Sequence, residues 1–289
     1  MAPPSRALLQ IHLAVLLFGF AGLFGKWVPL SPTVLVFGRV VFAVPVLLLA
    51  SALRRLPLAP PSRHSLVAFA ALGLLLAVHW TTFFQSVQVS SVAIALITFA
   101  TFPVFVAFLE PLLLNEPRRS SDLLLAGASL LGIIILVPTF DPGDATAQGV
   151  LWGIASGLTF ALLSLLNRQY VRRHSSITIA LYQDAFTAVL LLPVVVCQRP
   201  TVSVHDVLLL LALGVLCTAV AHALFIAGLH RVQARTASLI ACLEPVYGTT
   251  FAALFLREMP SLRTLAGGFI VLGVAFWATL RAGEQARTG

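Results

Sequence analysis

Residues 102–116 read FPVFVAFLEPLLLNE and residues 244–258 read EPVYGTTFAALFLRE. In each stretch a proline is followed thirteen residues later by a glutamate, Pro103 by Glu116 and Pro245 by Glu258, so one register holds across a whole apolar segment. The same offset of 142 residues extends outward from them. Phe18-Gly19 with Lys26 falls on Phe160-Ala161 with Arg168, and Phe83 falls on Phe225. Gly127 and Gly132 match Gly268 and Gly273 once one residue is dropped from the intervening loop. Together these coincidences identify an internal duplication, with one unit over 1–142 and the second over 143–289.

Composition names the solvent. Hydrophobic residues make up 59% of the 289 residues and charged residues 10%, whereas a soluble domain is about a quarter charged. The mean hydropathy is +1.01. Ten mainly apolar stretches of bilayer-spanning length lie near 8–28, 33–53, 65–87, 92–114, 121–138, 148–169, 176–197, 205–229, 234–256 and 261–281. They lack the alternation of a transmembrane barrel, so helices are the structure that satisfies their backbone groups in lipid. The expected fold is all-α and integral to the membrane: ten transmembrane helices, five per unit.

The net charge of +8 is an orientation signal rather than a nucleic-acid footprint. Thirteen arginines fall in loops that share one side, against Lys26, Arg199, Arg257 and Arg263 on the other. The positive-inside rule then puts both termini in the cytoplasm. An odd number of helices per unit inverts the second unit relative to the first, with a pseudo-two-fold axis in the membrane plane. The first helix carries the duplicated Gly19 and Lys26 and is expected to be retained rather than cleaved as a signal. Arginine in place of lysine, without an organelle-targeting segment, suggests a bacterial inner membrane. Cys197, Cys217 and Cys242 are scattered in apolar segments, where buried free thiols are the expectation, and neither a disulfide framework nor a metal cluster is supported. The Gly19, Gly22, Gly25 series and Gly153-Ile154-Ala155-Ser156-Gly157 read as close-packing sites, because neither has the strand-turn-helix setting of a nucleotide loop.

The paired proline and glutamate of segments four and nine, the glycines of segments five and ten, the Gly19 to Lys26 spacing and Phe37-Gly38-Arg39 resemble EamA-type members of the drug/metabolite transporter superfamily. The resemblance covers nearly the whole chain. In size and aromatic content it is most similar to the YddG amino-acid exporters, which implies a ten-helix basket around a central cavity. Pro103 follows Phe102 whereas Pro245 follows Glu244, so the two units are not chemically equivalent.

Candidate site residues are polar or aromatic groups deep in the segments. Asp184 and Glu244 lie about ten residues into theirs, near mid-membrane at roughly 1.5 Å per residue. Each can hold a substrate ammonium, couple a proton, or bond a neighbouring helix, and Glu244 can instead satisfy backbone freed by Pro245. His79 and His222 stand on segments three and eight, the offset pairing His222 with Trp80, and either lines the cavity or bridges helices. Neither has metal-ligand spacing on its helix. Trp80, Phe83, Phe102, Phe160, Tyr182 and Tyr247 form the aromatic set, and Gln183 adds an amide. Tyr182, Gln183 and Asp184 are successive and 100° apart, so only one or two of them can line a common cavity. Arg39, near the end of segment two, either snorkels outward or attracts a carboxylate. Glu116 and Glu258 are expected to pair with Arg118 or Arg119 and with Arg257 or Arg263, as structural or gating charges.

The expected activity is secondary transport: export of small metabolites, amino acids including aromatic ones, by alternating access. The expected partners are that small-molecule substrate and membrane lipid, with no nucleic acid and no cofactor, and the expected assembly is a monomer. Without a Walker sequence, an ion or solute gradient must drive it. The alternative cargo within transport is a cationic drug; a nucleotide sugar would call for several cavity arginines. An intramembrane enzyme is disfavoured because His-Glu-x-x-His, Gly-x-Ser-x-Gly and paired aspartates on neighbouring helices are all missing. A structural scaffold would leave solute movement indifferent to His79, Trp80 and Asp184.

Overall fold

The computed structural model describes residues 4–56, 62–114, 120–137, 141, 143–170, 174–229 and 240–285. Regular structure among them is helical throughout. In order the α-helices are α1 (Pro4–Trp27), α2 (Pro32–Leu53), α3 (Arg63–Val89), α4 (Val92–Phe99), α5 (Phe102–Leu114), α6 (Ser120–Leu136), α7 (Ala145–Tyr170), α8 (Ser176–Gln198), α9 (Val204–Gly214), α10 (Ala221–Leu229), α11 (Glu244–Phe251) and α12 (Leu262–Gln285). A π-helical turn, Val215–Val220, joins α9 to α10, and another, Ala252–Leu256, continues α11.

Serine starts many of these helices. Ser31, Ser62, Ser91, Ser175, Ser203 and Ser261 each stand just before a helix and accept a hydrogen bond from the backbone N–H three residues on. Such bonds satisfy donors that have no partner inside the helix. Ser203 and Asp206 complete a reciprocal capping box.

Among the described residues, seven stretches are long and apolar enough to cross a membrane, with Leu124–Leu136 and Leu262–Trp277 as shorter apolar helices. The fourth expected span is a broken rod: α4 stops at Phe99 and α5 restarts at Phe102. Pro103 explains the break, since it has no N–H to continue the ladder and its ring clashes with the preceding turn. Thr101 bridges the gap, donating from Oγ1 to the Thr98 carbonyl at 2.7 Å and accepting Val104 N–H at 2.9 Å on its own carbonyl. Pro245 does the same in the second unit, where α11 begins at Glu244 after a turn at Cys242-Leu243. The duplicated prolines therefore mark paired helix breaks, and Phe102 and Glu244 open the helices that follow.

Packing interleaves the two units. Helix α3 lies against α7 and α1 against α10, and these pairs exchange under the 142-residue offset. So do α5 against α7 and α11 against α1, while α2 against α8 and α6 against α12 each pair a span with its own counterpart. Small residues allow the closest approach: a Cβ on Gly132 of α6 would meet the Gly267 carbonyl oxygen of α12 at 3.0 Å. Of the matched glycines, Gly132 packs against α12 and Gly268 against the Ile97 side chain of α4, while a Cβ on Gly127 or Gly273 would meet nothing within 4 Å. Large apolar side chains such as Leu49, Leu53, Val67, Leu124 and Phe269 face outward, as lipid solvation requires.

Candidate functional site

Arg39 is the centre of the molecule's polar chemistry. It does not snorkel. Its side chain is 3% exposed, with the guanidinium carbon 3.8 Å from the centroid of the Trp80 ring and 5.6 Å from that of Phe84. Nε donates to Thr218 Oγ1 at 2.9 Å and Nη2 donates to the Cys217 carbonyl at 3.4 Å. Both acceptors belong to the π-helical turn, where the wider winding lets Thr218 Oγ1 donate in turn to the Leu213 carbonyl, five residues back, at 3.0 Å. A desolvated guanidinium on an indole face is favourable by about 2 kcal/mol. That contact and the two hydrogen bonds turn Arg39 inward.

Trp80 and His222, counterparts under the repeat, touch with ring centroids 5.5 Å apart. Phe18 continues the column, 5.6 Å from His222. Asp184 and Glu244 are neighbours of Arg39, yet no ion pair forms among the three. Asp184 is fully buried, and neither carboxylate oxygen has a hydrogen-bond partner. Glu244, partly buried, is the first residue of α11, beside the crossing of Gly19 and Gly248. A Cβ on Gly19 would lie 2.9 Å from the Gly248 nitrogen and 3.0 Å from the Glu244 carbonyl oxygen, so α1 and α11 meet backbone to backbone.

A second, aromatic group adjoins this centre. His79 Nδ1 lies 2.8 Å from Ser156 Oγ, tying α3 to α7, with its ring 5.0 Å from Phe160 and 5.4 Å from Phe99. Phe102 stacks on Phe99 at 5.4 Å and meets Phe160 edge-on at 5.0 Å, and Phe83 lies 6.0 Å from Phe99.

The other candidates separate from these groups. Tyr182 stacks on Phe69 at 5.1 Å, in a cluster with Tyr170 and His174. Gln183 donates to Asn167 Oδ1 at 2.5 Å. Helical rotation thus splits the three successive residues, and Asp184 alone approaches Arg39. Tyr247 packs with Ile11, Val15 and Phe225 near the α1–α10 contact. Glu258 makes no ion pair with Arg257 or Arg263; its Oε2 accepts the Val92 N–H at 3.1 Å, at the start of α4. Lys26 Nζ donates to the Ser90 carbonyl at 2.8 Å, so both charges clamp the α3–α4 turn. Glu116 lies outside the described residues. Cys197 is exposed on α8 rather than buried, whereas Cys217 and Cys242 are buried. Among the described residues, no three His, Cys, Asp or Glu side chains are placed to hold a metal.

Phe18, Phe99, Ser156, Cys217 and Thr218 complete the site beyond the sequence candidates. In the sequence they show only as Phe99 and Phe102 flanking the break in the fourth span and as the hydroxyls of Ser156 and Thr218 within apolar runs.

A family model described as the EamA-like transporter family matches the chain twice, over residues 5–137 and 147–280. The chain belongs to this family. The EamA fold is accordingly a two-repeat, all-helical membrane fold, and the protein is a multi-pass membrane transporter. A solved crystal structure superimposes with a TM-score of 0.67 over 97% of this chain and 99% of its own; at 20% identity the likeness concerns the fold alone. An uncharacterized transporter of Archaeoglobus fulgidus is 27% identical over 66% of this chain and 68% of its own. An S-adenosylmethionine uptake transporter of Rickettsia conorii is 27% identical over 69% of this chain and 67% of its own. An uncharacterized transporter of Bacillus subtilis is 23% identical over 97% of this chain and 92% of its own. Within the EamA framework the Arg39–Asp184–Glu244 centre is not duplicated: the counterpart positions hold Leu181, Phe42 and Phe102.

Proposed function

We propose that this EamA protein is a secondary carrier for small amino-acid-type metabolites, aromatic ones included, exporting them across the bacterial inner membrane by alternating access. The observation that carries the reading is a guanidinium and two carboxylates set deep among aromatic rings without pairing with one another. Ionisable groups at that depth are costly and characteristically serve a solute or ion path. Arg39 offers planar donors suited to a carboxylate, Glu244 a partly accessible acceptor for an ammonium, and the ring group around His79, Phe99, Phe102 and Phe160 a surface for an aromatic side chain.

The architecture we assign is ten transmembrane helices in two inverted repeats, 1–142 and 143–289, with both termini cytoplasmic, working as a monomer. Paired broken helices at Pro103 and Pro245 support it, since discontinuous helices at the repeat interface form the binding sites of many carriers. The thirteen-to-four arginine and lysine distribution supports the orientation. The alternating step is rocking of the units about the Trp80–His222 contact.

YddG-like amino-acid export is the finer assignment. The S-adenosylmethionine transporters among its relatives widen the solute class to metabolites that carry an amino-acid end. Their uptake sense is compatible, because a carrier runs in the direction its gradients dictate. A second reading, transport of cationic drugs, is favoured by the bare carboxylate of Asp184.

Counterflow in proteoliposomes decides between them. Vesicles preloaded with amino acids, nucleotide sugars or cationic dyes are given labelled phenylalanine. Stimulation by amino acids is the expected result; stimulation by dyes or sugars alone overturns the solute class.

A further inference from the structure

We infer, resting on the amino-acid reading above, that the solute carried in preference bears a second positive charge besides its α-ammonium and that Asp184 receives it. The central cluster sets Arg39 among two acids, Asp184 and Glu244, and its bonds go to Thr218 and Cys217 rather than to either acid. A zwitterion laid across the cluster, carboxylate toward Arg39 and ammonium toward Glu244, still leaves Asp184 without a partner. Arg39 cannot supply it from its present position, being held by Thr218 Oγ1 and the Cys217 carbonyl beneath Trp80.

A purely structural role for Asp184 would show as hydrogen bonds, and neighbouring polar groups on α8 make them. Thr187 donates to the Gly73 carbonyl at 2.9 Å and Gln183 to Asn167. Asp184 has none, at complete burial. A buried carboxyl group without a hydrogen-bond partner is costly in either protonation state, and a cation brought beside it favours the ionised form. Nor does the repeat require a charge there, because the counterpart position is Phe42. The missing partner is a cation that arrives with the solute, either an alkylammonium or guanidinium on its side chain or a sulfonium.

Two probe pairs isolate that charge. S-adenosylmethionine and S-adenosylhomocysteine share the amino-acid end and the nucleoside and differ by one methyl and one positive charge; lysine and norleucine differ in the same sense without a nucleoside. Proteoliposomes preloaded with each are assayed for counterflow at matched concentrations. The wild-type protein should favour the charged member of at least one pair by about tenfold or more, the range expected for a hydrogen bond to a charged group. A preference confined to the first pair assigns the sulfonium, and one confined to the second assigns the alkylammonium. In Asp184→Asn the favoured pair should become equal within about twofold, and Asp184→Glu should keep the preference.

Equal exchange of both members of both pairs by wild type, or a preference that survives Asp184→Asn, overturns the inference while leaving amino-acid transport standing. The wild-type comparison decides even where Asp184→Asn does not reach the membrane. Movement of dyes or sugars with none of the four probes overturns the amino-acid reading itself.

Discussion

Removing the Thr218 hydroxyl tests how Arg39 is held. Thr218→Val keeps the branched shape but deletes the oxygen that accepts from Arg39 Nε at 2.9 Å and donates to the Leu213 carbonyl at 3.0 Å. Interhelical side-chain hydrogen bonds in membranes average about 0.6 kcal/mol with a maximum near 1.7, and a charged donor places this one toward the upper end, since such bonds contribute about 1.5–3 kcal/mol in proteins generally. The expected coupling between Arg39 and Thr218 is therefore about 1–2 kcal/mol. Detergent-induced unfolding of the purified protein supplies the assay, applied to Thr218→Val, Arg39→Met and the double variant. The two losses should overlap by that amount, because each single change already breaks the bond. Thr218→Ser, which retains the oxygen, should behave like wild type. Losses that add within about 0.3–0.5 kcal/mol would refute the argument that the π-helical turn fixes the guanidinium.

Other predictions follow from contacts of the same kind. Gly19→Val should sharply lower the yield of folded protein, since even a Cβ there comes within 2.9 Å of the Gly248 backbone, whereas Gly273→Ala, with open space around it, should change stability by no more than about 0.5 kcal/mol. Glu258→Ala should cost about 0.5–2 kcal/mol through loss of the acceptor for Val92 N–H, read as faster amide exchange in the first turn of α4. Ser156→Ala should remove the hydroxyl 2.8 Å from His79 Nδ1 but keep the Ser156 carbonyl 3.1 Å from it, and so destabilise the α3–α7 contact by only about 0.5–1.5 kcal/mol, measurable by the same unfolding assay, while Ser156→Thr should lose less.

Much of the fold is legible in the sequence because membrane solvent leaves few choices. Apolar runs have to become helices, and the duplicated Pro103 and Pro245 fix where the units correspond. The same prolines also break their helices at mid-span, a consequence of the missing N–H that a reading of apolar length alone passes over. Arg39 shows the opposite limit. Counting from the helix end suggests a side chain able to reach the surface, but its acceptors lie on Cys217 and Thr218, far along the chain, and are presented only because the helix there winds as a π-turn. Tyr182, Gln183 and Asp184 could be separated in principle by their 100° spacing, but which one faces Arg39 depends on how α8 is rotated against α2 and α3. Sequence proximity points Glu258 to Arg257 and Arg263, whereas the N–H at the start of α4 that it accepts comes close only in the folded chain.

The most direct test of the charged centre as the solute site is fluorescence from Trp80. With Trp27, Trp152 and Trp277 replaced by phenylalanine, Trp80 is the single reporter, 3.8 Å from the Arg39 guanidinium and 5.5 Å from His222. Titration with amino-acid solutes should change its emission saturably, and Arg39→Met should abolish the change for carboxylate-bearing solutes. A protein that carries those solutes in vesicles while Trp80 emission stays constant would place the binding site elsewhere and contradict the account.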